Sequence, residues 1–327
     1  MKDKIYEQGG KLKSKKGKKR LKIFLIVSLI GIIALELHLR YFWGFCDSVL
    51  MQKDSQYEYI AQPNQDRFRF RNHIKYNSFS MRSDEPDSSA FKIIGFGDSV
   101  INGSVMVDQD SVVTSLLTKV LSQHFNQFIQ VLNVSAGSWG PDNCFAYIKK
   151  NGHFNARLFF LVMSSHDAYD NMDFRQVVDH DLGYESKQYK LAMWELWDRY
   201  ITPRLFKPKP PNTTGVAKKS KDFNSGLADI HQYAKENNIP FFVYLHPDSV
   251  ELNRRQYNEQ GLEVISFCES NDIPYIPALD VLNQDDYRDI IHLKESGHRK
   301  MNSKIQPYIE AILRDTFHLK DRITSDT

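Results

Sequence analysis

The sequence predicts an α/β protein, a parallel sheet wrapped by helices in three layers, preceded by a single membrane-spanning helix. Three observations carry this. Short apolar runs alternate with helical patterns from about residue 91 to 314. A lysine-rich tail at 11–22 runs straight into an uncharged apolar stretch at 23–35. With 327 residues, 41% of them hydrophobic and 25% charged, the chain can bury one sizeable core and carry an appended segment, so global disorder is excluded.

The amino terminus comes first in the argument because it distorts the overall charge. The formal net charge is +3, but the first 22 residues hold ten Lys/Arg against two acids, leaving 33 Lys/Arg against 38 Asp/Glu in the rest. The basic character therefore belongs to a tail. A helix over 23–35 covers only about 20 Å at roughly 1.5 Å per residue, short of a roughly 30 Å hydrocarbon core, so a span must borrow Leu37, Leu39, Tyr41, Phe42 and Trp43. Glu36 and Arg40 stand four apart and can pair on one helix face, with Tyr41 and Trp43 as an interfacial belt. A cleaved signal peptide is the alternative, but no small-x-small site follows the apolar run. By the positive-inside rule the lysine end stays cytoplasmic and the rest of the chain lies on the far side, periplasmic or extracellular. The same context disfavours nucleic acid as a partner of the lysines. Cys46, Cys144 and Cys268 have neither CxxC nor Cys/His metal spacing, so no disulfide framework and no metal cluster is expected.

The organisation that follows is a cytoplasmic basic tail (1–22), a transmembrane anchor (23–45), a juxtamembrane segment (46–90), an α/β domain (91–315) with an insertion (170–222), and a polar tail (316–327). The segment 47–90 is polar and aromatic and reads as a lead-in. Strands are expected at 91–96, 129–133, 158–163, 240–245 and 273–276, and helices at 111–123, 142–150, 225–237, 254–270 and 297–314. Strand and helix taking turns implies a parallel sheet whose sites form at the carboxyl ends of the strands. Within the insertion, 189–200 reads as a helix bearing Trp194 and Trp197, and 203–221 as a Lys/Pro-rich loop. The sequons at Asn133 and Asn212 matter only in a eukaryotic secretory pathway, and the first lies at a strand end where a glycan does not fit.

The chemistry gathers at three strand ends and one late loop. The first strand ends in Gly97-Asp98-Ser99, where glycine permits a tight turn that presents the Ser99 hydroxyl and its backbone N–H at the sheet edge. The second ends in Asn133-Val134-Ser135-Ala136-Gly137-Ser138-Trp139-Gly140, whose Gly137 can bring a further backbone N–H to the same point; a plain glycine turn is the bland alternative. The third ends in Ser164-Ser165-His166-Asp167, where a side-chain donor could complete an oxyanion hole. Late in the chain, Asp289-Ile290-Ile291-His292 sets a carboxylate three residues before an imidazole, close enough to hold its tautomer and stabilise the imidazolium. Each element alone is common, whereas four in this order are not.

On these blocks the chain resembles the SGNH, or GDSL, hydrolase superfamily over about residues 91 to 315. The nucleophile block matches Gly97-Asp98-Ser99, the glycine block matches 133–140, and the closing Asp-x-x-His matches Asp289 and His292. The resemblance implies a flavodoxin-like three-layer α/β/α fold and ester chemistry without a cofactor or metal. Ser99 is then the nucleophile, His292 the base and Asp289 its orienter. The implied oxyanion hole is built from the N–H of Ser99, the N–H of Gly137 (Gly140 also fits the block) and the side chain at His166. The third block departs from the family's Gly-x-Asn-Asp, since His166 stands at the asparagine position. An imidazole N–H can donate to an oxyanion, as a full charge if protonated and not at all if neutral in the wrong tautomer.

The remaining candidates receive structural readings. His246 is a turn residue, His298 part of a helix start, and Cys144 and Cys268 are buried small hydrophobes. Trp194 and Trp197 fit an apolar platform for a sugar ring or acyl chain, though aromatics at this spacing more often pack into a core. The expected function is a membrane-anchored serine esterase or O-acyltransferase acting on acylated envelope carbohydrate. Two rivals are a catalytically weak scaffold or carbohydrate-binding protein of an envelope-assembly system, and a membrane-tethered lipase.

Overall fold

The computed structural model describes residues 2–206, 216, 218 and 220–322, with side chains from Gly17 onward. The sequon at Asn212, most of the Lys/Pro-rich loop and the last residues of the polar tail lie outside the described residues. The chain divides into two compact units, Met1–Asp47 with Tyr189–Lys209, and Ser48–Gln188 with Pro210–Thr327.

The first unit is built on helix α1 (Lys2–Trp43). Its stretch Gly17–Trp43 is long and apolar enough to cross a membrane; its most apolar part is exposed, while Leu39 near its end is buried. The expected Glu36–Arg40 pair forms, Nε to Oε1 at 2.7 Å, so the two charges inside the apolar run are matched on one helix face. The insertion contributes helical turns at Ala192–Leu196 and Thr202–Phe206, joined by a π-helical turn at Trp197–Ile201. The core reading of Trp194 and Trp197 fails: they are 56% and 44% exposed.

In the second unit, residues expected to form only a lead-in make two antiparallel hairpins, β1 (Met51–Asp54) with β2 (Glu58–Ala61), and β3 (Gln65–Arg69) with β4 (Asn72–Tyr76). Tyr57, Tyr59, Ile60, Ile74 and Met81 from this stretch join the main hydrophobic core. Their apolar positions are interspersed with polar ones in four- and five-residue runs, too short to give a periodic signal before the partner strand is known. The sheet that follows comprises β5 (Phe91–Gly97), β6 (Ile129–Ser135), β7 (Leu158–Ser164), β8 (Phe241–His246) and β9 (Tyr275–Pro277), all parallel in the order β6-β5-β7-β8-β9.

Every residue of β5 to β8 is buried, and alternate side chains enter two separate cores. Ile94, Leu132, Leu161 and Val243 face one, with Cys144 and Ile148 of helix Pro141–Asn151 and Ile230 of helix Gly226–Glu236. Ile93, Val131, Phe160 and Phe242 face the other, with Leu117 and Leu121 of helix Val113–Phe125 and Ile305 and Ile309 of helix Glu295–Asp315. These are the three layers, and burial on both faces explains why the strands read as continuous apolar runs. Among the expected elements one is corrected. The helix expected at 254–270 is two, Ser249–Arg254 and Glu259–Ser270, because Arg255 takes a left-handed conformation and the Asn258 side chain caps the second by accepting from the N–H of Gly261.

Arg82 links the hairpin region to the loop after Ser99. Fully buried, it donates to the carbonyls of Asn102, Ser104 and Val107. Burial lowers its pKa, but a guanidinium stays charged, so this cation is held by backbone dipoles. Replacement by methionine leaves three carbonyls without donors, and Arg82→Met is expected to lower stability by about 3 kcal/mol in urea unfolding. A loss under about 1 kcal/mol would mean that water replaces the guanidinium at no cost.

Candidate active site

The turn that carries Ser99 follows from backbone sterics. Gly97 ends β5 at φ +153°, and a Cβ there would stand 2.6 Å from the Val162 carbonyl oxygen on β7, so only glycine lets the strand turn this close to its neighbour. Asp98 then caps a short helical turn, Ser99–Asn102, its Oδ1 accepting from the N–H of Val100 at 2.8 Å. Ser99 opens that turn, partly exposed. Its Oγ lies 2.8 Å from His292 Nε2 and 3.3 Å from Asp98 Oδ2.

His292 comes from a loop closed at both ends, by an antiparallel bridge between Tyr287 and Leu293 and by the Arg288 N–H donating to the His292 carbonyl at 2.8 Å. Inside it, Asp289 stands 2.9 Å from His292 Nδ1 through either carboxylate oxygen. Asp289 Oδ1 also accepts the N–H groups of Ile291 at 3.1 Å and His292 at 2.9 Å. Burial opposes its charge, yet the imidazole and these backbone donors outweigh burial and hold its pKa well below the usual carboxylate range. With Asp289 ionised, His292 carries its proton on Nδ1 and turns the Nε2 lone pair toward Ser99.

Behind the loop sits His246, fully buried at the end of β8, its Nε2 donating to the Ile291 carbonyl at 2.9 Å. His298 is also buried, and its Nδ1 accepts from the Val113 N–H at 3.3 Å. Both are structural, as expected. The buttressing of the His292 loop by His246 is a function the sequence does not signal, since nothing in a strand-end histidine tells which later loop it meets.

The glycine block is pinned from the hairpin region and from the insertion. The Gly137 carbonyl accepts from Tyr59 Oη at 2.9 Å and Tyr184 Oη at 3.1 Å, and the Trp139 indole donates to the Tyr59 carbonyl at 2.9 Å. The choice between Gly137 and Gly140 has a steric side. A Cβ at Gly140 would fall 2.0 Å from the Asp170 carbonyl oxygen, so that glycine serves close packing. Tyr59 and Tyr184 are site-forming residues missed in the sequence; single tyrosines far from the motif blocks carry no signal.

His166 lies after β7 among carboxylates. Its Nε2 stands 3.3 Å from Asp167 Oδ1, 3.8 Å from Asp170 Oδ2 and 3.9 Å from Asp98 Oδ2. Although desolvation favours the neutral ring, these acids prevail and push its pKa up to about 9. The protonated ring is thus the favoured form, with Nε2 turned toward the acids. Burial in turn raises Asp170 to about 6, and raises Asp167, whose Oδ2 accepts from the Ser164 N–H at 2.7 Å. Asp98 stands between Ser99 and His166, within reach of both. The ligand-capable atoms of Asp98, His166 and Asp167 come within 4.8 Å of one another.

The strand order places β5 between β6 and β7, and the three strand-end blocks meet at their carboxyl ends beside the Asp289–His292 loop. The chain has the parallel α/β architecture expected of it. Among solved structures it is similar to a carbohydrate acetylesterase family member from Sinorhizobium meliloti, at 12% identity and TM-score 0.37 over 68% of this chain and 98% of that one. It is also similar to a psychrotrophic esterase from Pseudoalteromonas, at 11% identity and TM-score 0.43 over 69% of this chain and 100% of that one. A two-domain esterase active on acetylated mannans is similar at 11% identity and TM-score 0.45, over 69% of this chain and 50% of that one. No protein-family model and no curated protein matches the sequence.

Proposed function

We propose that the chain is a membrane-anchored SGNH-type serine enzyme that breaks ester bonds through an acyl-enzyme, by hydrolysis or by transfer to another hydroxyl. One observation carries the reading: Ser99 Oγ, His292 Nε2, His292 Nδ1 and Asp289 form an unbroken hydrogen-bonded relay with links of 2.8 and 2.9 Å. Ser99 Oγ attacks the acyl carbonyl and passes its proton to His292 Nε2, while Asp289 stabilises the imidazolium. The tetrahedral oxygen is received by the backbone N–H groups of Ser99 and Gly137 with the positive field of His166. His292 then protonates the departing alkoxide, and water or a sugar hydroxyl resolves the acyl-enzyme. The substrate we assign is an O-acylated carbohydrate of the cell envelope, because an anchor with a cytoplasmic lysine end puts the site on the side where surface polymers lie. A lipase acting on the bilayer would differ in accepting long acyl chains in place of acetyl.

A second reading, a weakly catalytic scaffold, is favoured by a specific feature: His166 Nε2 faces Asp167, Asp98 and Asp170. Fluorophosphonate labelling of the full chain separates the two. Labelling that is present in the native protein and lost in both Ser99→Ala and His292→Ala is the expected result. A folded protein that takes no label, or equal labelling in Ser99→Ala, overturns the enzyme reading.

A further inference from the structure

We propose that the insertion helix, residues 191–206, lies in the lipid interface beside the anchor and is a second seat of the protein on the membrane; this rests on reading α1 as membrane-spanning. The argument begins with Glu36. An apolar span that starts at Ile23 needs about 20 residues to cross the hydrocarbon, which brings it to about Phe42 and leaves Glu36 roughly 10 Å below that end. A carboxylate at that depth is costly unless it is paired and hydrogen-bonded.

The insertion supplies those bonds. Glu36 Oε1 accepts the Ala192 N–H at 2.8 Å and Oε2 the Met193 N–H at 2.9 Å, in addition to the ion pair with Arg40. Arg40 in turn donates to the Lys190 carbonyl. The chain at 190–193 is therefore bound to the anchor below the level of Tyr41, Phe42 and Trp43. Whatever depth the anchor takes, this segment shares it.

The outer face of the same helix suits that depth. Leu191, Trp194, Trp197 and Leu205 are 58%, 56%, 44% and 63% exposed, and Phe206 is 71% exposed. Leu191, Trp194 and Trp197 recur at intervals of three, and exposed Leu205 and Phe206 follow after the π-helical turn. Inward, Ala192 and Glu195 are buried, and Glu195 accepts from the Cys46 N–H at the foot of the anchor. Five large apolar side chains exposed within a 16-residue stretch make a surface that water disfavours, and indole rings have their optimum at the headgroup level. The occupant is lipid because the patch is continuous with the span itself through Glu36 and Arg40.

The test uses the full chain in nanodiscs made with lipids brominated in the upper acyl chain, read by tryptophan quenching against unbrominated lipid. Trp43→Phe leaves Trp194 and Trp197 as the reporters beside Trp139, which is buried in the protein core at 1% exposure. The double variant Trp194→Phe/Trp197→Phe leaves Trp43 to report on the anchor. Quenching of both variants is expected. Quenching of the double variant alone overturns the second seat while the anchor stands, and a dimer formed through the tryptophans would give this outcome. Absence of quenching in both overturns the anchor reading and the proposal with it.

Discussion

Asp289→Asn is expected to lower turnover of an activated acyl ester by about 10⁴-fold and to leave the protein folded. The folded state survives because an asparagine Oδ1 can still accept the N–H groups of Ile291 and His292 that Asp289 Oδ1 accepts now, at 3.1 and 2.9 Å. Turnover does not survive, because an amide neither stabilises the imidazolium nor enforces the proton on Nδ1, and the lone pair facing Ser99 is lost. Steady-state kinetics with circular dichroism and thermal melting on the same sample check both halves. A loss smaller than about tenfold would mean that the pairing of Asp289 with His292 is structural only.

Acidification destabilises the fold through His246 and His298. Burial lowers His246 from an ordinary value of 6.5 to about 4 and His298 to about 3, with nearby basic groups adding to the effect. Arg82, Arg288 and His246 act on His298, while His292 and His166 act on His246, against the hydrogen bond to the Ile291 carbonyl. The unfolded chain binds protons to both imidazoles below about pH 6.5 while the folded chain does not, so stability present at neutral pH is lost as pH falls from there toward 4. The loss is on the order of 3 kcal/mol for each histidine by pH 4. His166 has the opposite sign. Its folded pKa is raised to about 9, so its contribution is complete below about 6.5 and fades as pH rises through 9. Stability is therefore expected to peak near neutrality. Urea unfolding of the native protein and His246→Asn between pH 4 and 7.5 tests this, with the variant losing less on acidification. An equal slope in the two proteins would remove His246 as a cause.

Much of the α/β unit is legible in the residues themselves. Phe91–Gly97, Ile129–Ser135, Leu158–Ser164 and Phe241–His246 read as strands because both their faces are covered, and continuous burial writes a continuous apolar run. The relay is legible too. A turn that tolerates only glycine before Ser99, and a carboxylate three residues before His292, are local requirements, and local requirements leave their mark on adjacent residues. What stays hidden depends on the approach of distant segments. Tyr59, 78 residues from Gly137 in the chain, holds its carbonyl. Arg82, buried among carbonyls, and the carboxylates that keep His166 charged are equally invisible without the fold.

The layered α/β class and the apolar amino-terminal helix are therefore readable from periodicity, whereas the residues of the relay come from the motif resemblance, because Ser99 and His292 meet across 193 residues of chain. Tertiary contacts add that residues 51–76 form hairpins sharing the main core, that His166 faces Asp98, Asp167 and Asp170, and that Glu36 is satisfied by Ala192 and Met193. The physical reason is the same in each case. Burial, charge state and hydrogen-bond partnership are set by groups brought together across long stretches of chain, and the pattern along the chain records what a residue is, while the fold settles what it faces.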